Sequence, residues 1–375
     1  MKKIIVIAIA ILMVFTMAAC GGNKAPAAAP PADSGTQATT PPPAPAPADE
    51  EVLIGSCVYK FDDTFMTGVR NAMQAKADEL GATLETVDSQ NKQPTQNEQV
   101  DTFITKGVNA LCVNPVDRTA AGPIMEKAQA EGLPIVFYNR EPEADVMQAY
   151  DKIWYVGARA EESGIQSGQI LVDNWKAHPE WDKNGDGKIQ YVLLQGEIGH
   201  QDATLRSQYC QKVLQDNGLI DGYEFDNWNK TNDCLLATDT ATWDKVKGTD
   251  LMKTWIASIG LDKIEAVFGN NDDMALGAIE ALKAEGYNTG DPDKYIPVVG
   301  VDATAPALEA MKDGSLLGTV LNDAVNQGSA TVAIANAAAL GQAIDEGTIG
   351  YAVTDGKYVW VPYVMVTADN YTDFM

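Results

Sequence analysis

The sequence predicts a two-lobed α/β protein in which each lobe is a doubly wound parallel sheet. Three observations predict it. From residue 51 onward, short runs rich in Val and Ile alternate with stretches of roughly ten to twenty residues at helical spacing, the rhythm of parallel sheets covered on both faces. These stretches end on Gly81, Gly107, Gly132, Gly218, Gly286 and Gly314, where a left-handed cap closes a helix before the next strand. About 325 residues follow residue 50, more than one core usually holds.

The N-terminal region is set apart from this rhythm. Lys2 and Lys3 precede an apolar run from Ile4 to Met17, and the small residues of "MAAC" end it at Cys20. This is the pattern of a cleaved secretory signal over residues 1–19. The run falls short of the roughly 20 residues a membrane span needs. It resembles a bacterial lipobox, and by that resemblance Cys20 would carry diacylglycerol and tether the chain to the outer face of the cytoplasmic membrane. Residues 20–50, rich in Pro and Ala, hold almost no large apolar side chain and cannot bury a core. As a leash they would reach roughly 30 Å as a coil and about 90 Å if extended.

Lys and Arg number 27 against 52 Asp and Glu, a formal charge of −25. Such a chain has no net positive field to neutralise phosphates, which argues against nucleic acid as a partner and against membrane contact other than through the lipid. Of the remaining cysteines, Cys57 and Cys112 lie in the strand-like runs "VLIGSCVY" and "ALCVN" and read as buried thiols. Cys210 and Cys234 are either paired or free, since an exported protein meets oxidising conditions.

The strands read in order as "VLIGSCVY", "ATLETV", "NALCVN", "LPIVFYN", "WYVG", "IQYVLLQG", "EAVFGN", "IPVVGV" and "LLGTVLN". Ligands of such sheets sit at the carboxyl ends of strands. The residues found there are Asp63, Asn114, Asn139, Arg140, His200, Asp202, Asn270 to Asp273, Asp302 and Asn322. Asp and Asn are also favoured helix N-caps, and taken singly capping is the simpler account. Capping has no use for His200, nor for Arg206 four residues after Asp202 on one helical face. Phe65 lies two residues past Asp63, and Trp243 reads as opening the amphipathic helix "TATWDKVKGTDLMKTWIASIG", in which Trp255 is core. An aromatic at each lip with carboxylates and amides between them suits a pyranose, whose C–H faces pack on rings and whose hydroxyls need donors and acceptors.

In "DKNGDGKIQ", residues 182–190, Asp182, Asn184 and Asp186 alternate and Gly187 follows, the spacing of an EF-hand calcium loop. The twelfth position, which should be a bidentate carboxylate, is Leu193. Either the loop binds nothing or its last ligand comes from elsewhere.

The stretches "YKFDDTFM", "DSQN", "NALCVNPVD", "FYNREP", "WYVGARAEESGI", "WDKNGDGKIQYVLLQGEIGHQDATLR", "KIEAVFGNNDDMALGAIEALKA", "VVGVDATAPAL", "GTVLNDAVNQ" and "WVPYV" resemble, in order and over essentially the whole chain after the linker, the galactose/glucose-binding proteins of ABC sugar importers. The resemblance implies a type I periplasmic binding protein fold, a Venus flytrap. Its N-terminal lobe would be residues 51–133 plus 323–360 and its C-terminal lobe 134–322 plus 361–375. The hinge segments would lie near Leu133 to Tyr138, Asn322 to Val325 and Trp360 to Val364.

By the same resemblance Asp63 and Asn322 would bond sugar hydroxyls, Asp63 reading the C4 position. Asn114, His200, Asp202, Arg206, Asn271 and Asp302 would take the other hydroxyls and the ring oxygen, with Phe65 and Trp243 sandwiching the ring. The loop would hold a structural Ca²⁺ through Asp182, Asn184, Asp186, the Lys188 carbonyl and Gln190, with distant Glu265 as the bidentate ligand. The implied function is a monomeric, lipid-anchored extracytoplasmic binding protein, not an enzyme. It would capture D-galactose, D-glucose or a methyl galactoside and deliver it to an ABC permease, with a chemoreceptor as a further reader of closure.

Gln201 stands where the family has proline, Pro115 follows Asn114, and residues 220–239 look longer than their counterpart. The competing readings are a binder of pentoses or other aldohexoses, a glycosidase using Asp63 and Asp302, a metal-dependent hydrolase at the loop, and a sugar-responsive repressor. A glycosidase needs paired carboxylates flanking the bond, and no spacing here demonstrates them. A hydrolase wants an open metal position, which the loop with Glu265 closes. A repressor needs a basic headpiece, which residues 21–50 do not supply.

Overall fold

The apolar runs form buried parallel strands, and the order of pairing sorts them into two sheets. The computed structural model describes residues 51–375; the signal segment, Cys20 and the linker lie outside the described residues. The first half runs β1 (Leu53–Val58), α1 (Thr64–Leu80), β2 (Thr83–Asp88), α2 (Gln93–Lys106), β3 (Ala110–Val113), α3 (Gly122–Ala130), β4 (Ile135–Tyr138), α4 (Ala144–Gln148) and β5 (Ile153–Gly157). The second runs α5 (Ala160–Trp175), β6 (Tyr191–Gln195), α6 (Gln201–Asp216), β7 (Leu235–Thr240), α7 (Lys245–Ile259), β8 (Ala266–Gly269), α8 (Asp272–Ala284), β9 (Val298–Val299), α9 (Ala305–Lys312) and β10 (Thr319–Leu321). The chain then returns through α10 (Ala324–Ala339), α11 (Glu346–Ile349) and β11 (Tyr358–Trp360) to the first half, and ends with β12 (Val364–Val366) beside β10.

The first sheet has the order β11-β5-β4-β3-β1-β2 and the second β7-β6-β8-β9, with β10 bridged in parallel beside β9. Both halves therefore repeat one doubly wound order, with a switch point beside the first strand of each. Alternate residues of β1 and β4 enter two cores on opposite faces: Ile54, Val58, Val136 and Tyr138 join α1 and α10, while Cys57, Ile135 and Phe137 join α2 and α3. In the second half Val192 and Leu194 face one core, Tyr191 and Leu193 the other. Among the described residues no helix is long and apolar enough to cross a membrane.

The strand pairing corrects the expected lobe boundary. β4 pairs with β3, and β5 with β4 and β11, so residues 134–157 belong to the first half and the chain first crosses between β5 and α5, near Ala158 and Arg159, not at Leu133 to Tyr138. Asn322 and residues 361–363 make the other two crossings, between paired β10 and α10 and between β11 and β12. Residues 220–239 supply the edge strand β7 and a turn that holds α6: Gln208 Nε2 donates to Phe225 O at 3.0 Å, Gln211 Nε2 to Trp228 O at 3.1 Å, and Tyr223 Oη to Gln208 O at 2.7 Å. Cys57, Cys112, Cys210 and Cys234 are free and buried.

Helix α6 is placed by a close approach to α5. A Cβ on Gly164 would stand 2.8 Å from Arg206 O and 2.9 Å from Tyr209 Cβ, so the two helices meet only because glycine is there. Gly164→Ala should push α6 outward and destabilise the fold by about 1–3 kcal/mol. A denaturant midpoint equal to the wild type's would contradict this.

Candidate functional site

At the carboxyl edge of a parallel sheet each strand gives way to a helix whose first N–H groups lack partners. Polar side chains gather there. Asp63 Oδ1 accepts from Met66 N at 2.8 Å and caps α1. His200 Nδ1 accepts from Asp202 N at 3.1 Å and caps α6, against the expectation that a cap has no use for it, because a neutral imidazole nitrogen accepts as a carboxylate oxygen does. Asn271 Oδ1 accepts from Met274 N at 3.0 Å and caps α8. The capping and binding readings of these residues are thus not alternatives, because the same side chains also line one cavity between the halves. Its walls are Tyr59, Asp63, Phe65, Met66, Asn139, Arg140, His200, Asp202, Arg206, Trp243, Asn271, Asp302 and Asn322. The cavity is narrow, about 40 Å³.

Nine of the ten sugar-site residues expected from sequence lie on this wall. Asn114 does not. It is fully buried behind the wall, its Oδ1 accepting from Tyr59 N at 3.3 Å and its Nδ2 donating to Tyr138 O at 3.1 Å and Asn139 Oδ1 at 3.2 Å. Trp243 lies not in helix α7 but in the turn before it, with a φ of 63°. Its ring sits where a Cβ on Gly196 would be only 2.2 Å away. Phe65 belongs to the core of the first half and Trp243 to that of the second, so the two rings approach the cavity from opposite sides.

Four wall residues were not among the selected ten. Asn139 and Arg140 sit at the end of β4, where the strand-end rule had pointed to them. Tyr59 follows β1 and hydrogen-bonds Asp63 through its hydroxyl; Met66 follows Phe65 in α1. Arg140 stacks over the Tyr59 ring at 3.8 Å and donates to Val116 O at 2.7 Å.

Arg206 anchors the second half of the wall. Nη1 donates to Asn270 O at 2.7 Å, Nη2 to Tyr363 Oη at 2.9 Å, and Asp202 Oδ2 lies 3.7 Å from Nη2. Burial works against its charge, yet Tyr363, Asp202 and Asp302 hold its pKa above the ordinary value. Burial pushes the Asp302 carboxyl well above the usual carboxylate range; Arg206 opposes this, while Asp272 and Asp63 add to it. Burial likewise raises Asp202 against the pull of Arg206 and Arg140. Among the described residues Arg206 Nε and Trp243 Nε1 are buried donors with no partner. The wall therefore offers uncommitted donors, carboxylate acceptors and two aromatic faces, the set that a small polyhydroxylated ring requires.

The halves also touch each other across the cleft. Arg140, 3% exposed, pairs with Glu197 at 3.0 Å, Asn91 Nδ2 donates to Glu197 Oε1 at 3.2 Å, Thr64 Oγ1 donates to Asp273 Oδ2 at 2.9 Å, and Gln201 Nε2 to Glu141 Oε2 at 3.4 Å.

The 182–190 turn lies apart from this cavity. Asp182 accepts from Gly185 N at 2.8 Å and Gly187 N at 2.9 Å. Asn184 Nδ2 donates to Asp186 Oδ2 at 3.0 Å and Gln190 Oε1 at 3.1 Å. Glu265, 1% exposed, reaches the same turn, its Oε1 accepting from Lys183 N at 2.7 Å and its Oε2 from Gln190 N at 3.0 Å. Among the described residues no three His, Cys, Asp or Glu side chains are grouped as metal ligands would be.

A periplasmic binding protein domain model matches residues 54–343. The D-galactose/methyl-galactoside binding periplasmic protein of Haemophilus influenzae is 42% identical over 323 residues, 86% of this chain and 91% of that protein. A xylitol-binding protein of Mycolicibacterium smegmatis is 30% identical over 323 residues, 85% of this chain and 82% of that protein. An ABC transporter solute binding protein from Bacillus halodurans with bound myo-inositol superposes with a TM-score of 0.69 at 30% identity, covering 88% of this chain and 99% of that one.

The His200 ring sets a pH dependence. Its pKa lies well below the ordinary 6.5, through burial and then the nearby Arg140, Arg206 and Arg118; with Nδ1 accepting, the neutral ring carries its proton on Nε2. The unfolded chain gains a proton at this residue on acidification and the folded chain does not, so stability present above 6.5 is lost as pH falls below it. His200→Asn keeps a capping side chain without the titration. The melting-temperature advantage of the wild type over this variant should shrink between about pH 7 and 5; a constant difference would contradict the assignment.

Proposed function

We propose a function from one premise: the chain belongs to the periplasmic binding protein family. In this reading it is an extracytoplasmic solute-binding protein of an ABC importer that encloses a single aldohexose, D-galactose or D-glucose, or a methyl galactoside. The observation that carries the sugar is the pair of orphaned donors, Arg206 Nε and Trp243 Nε1, on a wall that also holds Asp63, Asp202, Asp302 and two opposed rings.

Capture works by closure about the three crossings. A hexose touching Asp63 and Phe65 on one side and Arg206, Trp243 and Asp302 on the other has all its hydroxyls satisfied only when the halves meet, so binding favours the closed form. Micromolar affinity needs about 8 kcal/mol, and hydrogen bonds to charged groups at roughly 1.5–3 kcal/mol each supply it. A sugar lacking one bonded hydroxyl strands a buried group and loses about 10⁴-fold. Asp63 would read the C4 hydroxyl, with Tyr59 orienting its carboxylate.

The oxygens of the 182–190 turn suit a hard cation. Glu265 is a buried carboxylate whose pKa is raised by burial and, in addition, by Asp182. It accepts from the main-chain N–H groups of Lys183 and Gln190 and is drawn down also by that of Asn184, so both of its oxygens are aimed at the turn. Asp182, Asn184, Asp186, Lys188, Gln190 and Glu265 would hold Ca²⁺, which prefers six to eight oxygen ligands. The ion would supply a structural clip between the turn and the entry to β8. The acylated Cys20 would keep the protein beside its permease, and a chemoreceptor would be a second reader of the closed form.

Calorimetry with D-galactose and D-glucose should show one site per chain. Trp243→Ala should weaken binding roughly 30-fold or more, as loss of a hot-spot aromatic does; an unchanged affinity would remove Trp243 from the site. A chelator should lower the melting temperature of the wild type and leave that of Glu265→Ala where it is. Equal wild-type melting with and without chelator would refute the calcium assignment.

A further inference from the structure

Backbone strain recurs where the cavity is built, besides its occurrence at Gln90, Asn91, Asn288 and Asp355. Asn139, Thr242, Trp243, Asp302 and Ala303 hold positive φ angles of 62°, 51°, 63°, 122° and 51°, and three of them, Asn139, Trp243 and Asp302, line the cavity. Residues with a Cβ avoid this region and stay in it only where their surroundings over-determine them. Asp302 and Ala303 do so in succession, as Thr242 and Trp243 do, and Asp302 has the largest φ of the group.

Asp272 holds both ends of that pair. It is the first residue of α8, is fully buried and is not on the cavity wall. Its main-chain N–H donates to Val301 O at 2.7 Å, just before the pair. Its Oδ2 accepts from Thr304 N at 2.8 Å and Thr304 Oγ1 at 3.1 Å, just after it. Its Oδ1 accepts from Thr319 Oγ1 at 2.6 Å, and that oxygen accepts in turn from Ala303 N at 3.3 Å.

The capping of α8 does not account for this carboxylate, because Asn271 already caps the helix. Gly300 makes room for it: a Cβ there would be 2.3 Å from Asp272 Oδ1. Burying an acid is costly unless its bonds are complete, and every side-chain bond that Asp272 makes leads to the turn or to Thr319 beneath it.

We propose that Asp272 is a positioning residue of the sugar site, a clamp on residues 301–304 that keeps Asp302 in the strained conformation presenting its carboxylate to the ligand. This rests on the reading of Asp302 as a sugar-binding group. The clamp fixes geometry rather than contacting sugar, so removing it costs affinity through misplacement.

The test uses Asp272→Ala and Thr319→Val, the second nearly isosteric and lacking only the hydroxyl that joins the clamp to Ala303. Each is titrated with D-galactose well below its melting temperature and crystallised without sugar. Asp272→Ala should weaken binding about tenfold or more at one site per folded chain, Thr319→Val by less, and Asp302 should leave its φ of 122° in the first variant. A purely structural role would lower the melting temperature and leave the affinity of the folded fraction unchanged. That outcome, or an unaltered φ at Asp302 in Asp272→Ala, overturns the proposal. If Asp272→Ala does not fold, Thr319→Val decides by affinity: weaker binding at one site per folded chain supports the clamp, and an affinity equal to the wild type's overturns it. A wild type that bound no hexose would remove the functional reading, and the φ of Asp302 in the variants would still judge the clamp.

Discussion

Wherever a parallel strand hands over to a helix, main-chain N–H groups are left without partners at the carboxyl edge of the sheet, and the whole cavity is built on how this chain satisfies them. Asp63, His200 and Asn271 each close a helix with one atom of the side chain; the other oxygen of Asp63 is held by the Tyr59 hydroxyl and the amide of Asn271 by Trp243 O, so all three side chains are fixed at the cleft wall. Because both sheets repeat the same strand order, two such edges face one another at their switch points. A cavity lined by donors and acceptors from both sides is the consequence.

The electrostatics follow from that placement. The chain is strongly acidic, yet the cleft pairs its acids with Arg140 and Arg206, each nearly inaccessible to solvent. Buried ion pairs of this kind are weak contributors to stability, and their concentration at one cleft marks it as the working part of the molecule. The hydrogen bonds and the ion pair that join the halves across the cleft are polar, so a closure motion of the kind proposed would leave the cores of both halves packed as they are.

Much of this was legible in the sequence because the signals are local. Val- and Ile-rich runs announce β1, β3, β4 and β8, glycines mark the helix ends, and the strand-end rule led to Asp63, His200, Asp302 and Asn322. The misses have physical causes. β7 is a half-exposed edge strand whose apolar residues, Leu235, Leu236 and Ala237, run together instead of alternating with polar ones, so no strand period distinguished it from loop. The lobe boundary depended on β5 pairing with β4 and β11, a choice made by residues far apart in the chain. Asn114 has the right residue type at a strand end, but its two main-chain partners and Asn139 draw it behind the wall. Trp243 carries helical spacing and sits instead in a left-handed turn, a conformation that residue type does not signal. Tyr59 and Arg140 act through each other and Asp63, a relation invisible until the chain is folded.

The most direct measurement is a crystal structure grown with D-galactose. One hexose ring is expected between Phe65 and Trp243, hydrogen-bonded to Asp63 from the first half and to Arg206 and Asp302 from the second. A sugar bound elsewhere, or a cleft that stayed without one at saturating hexose, would contradict it.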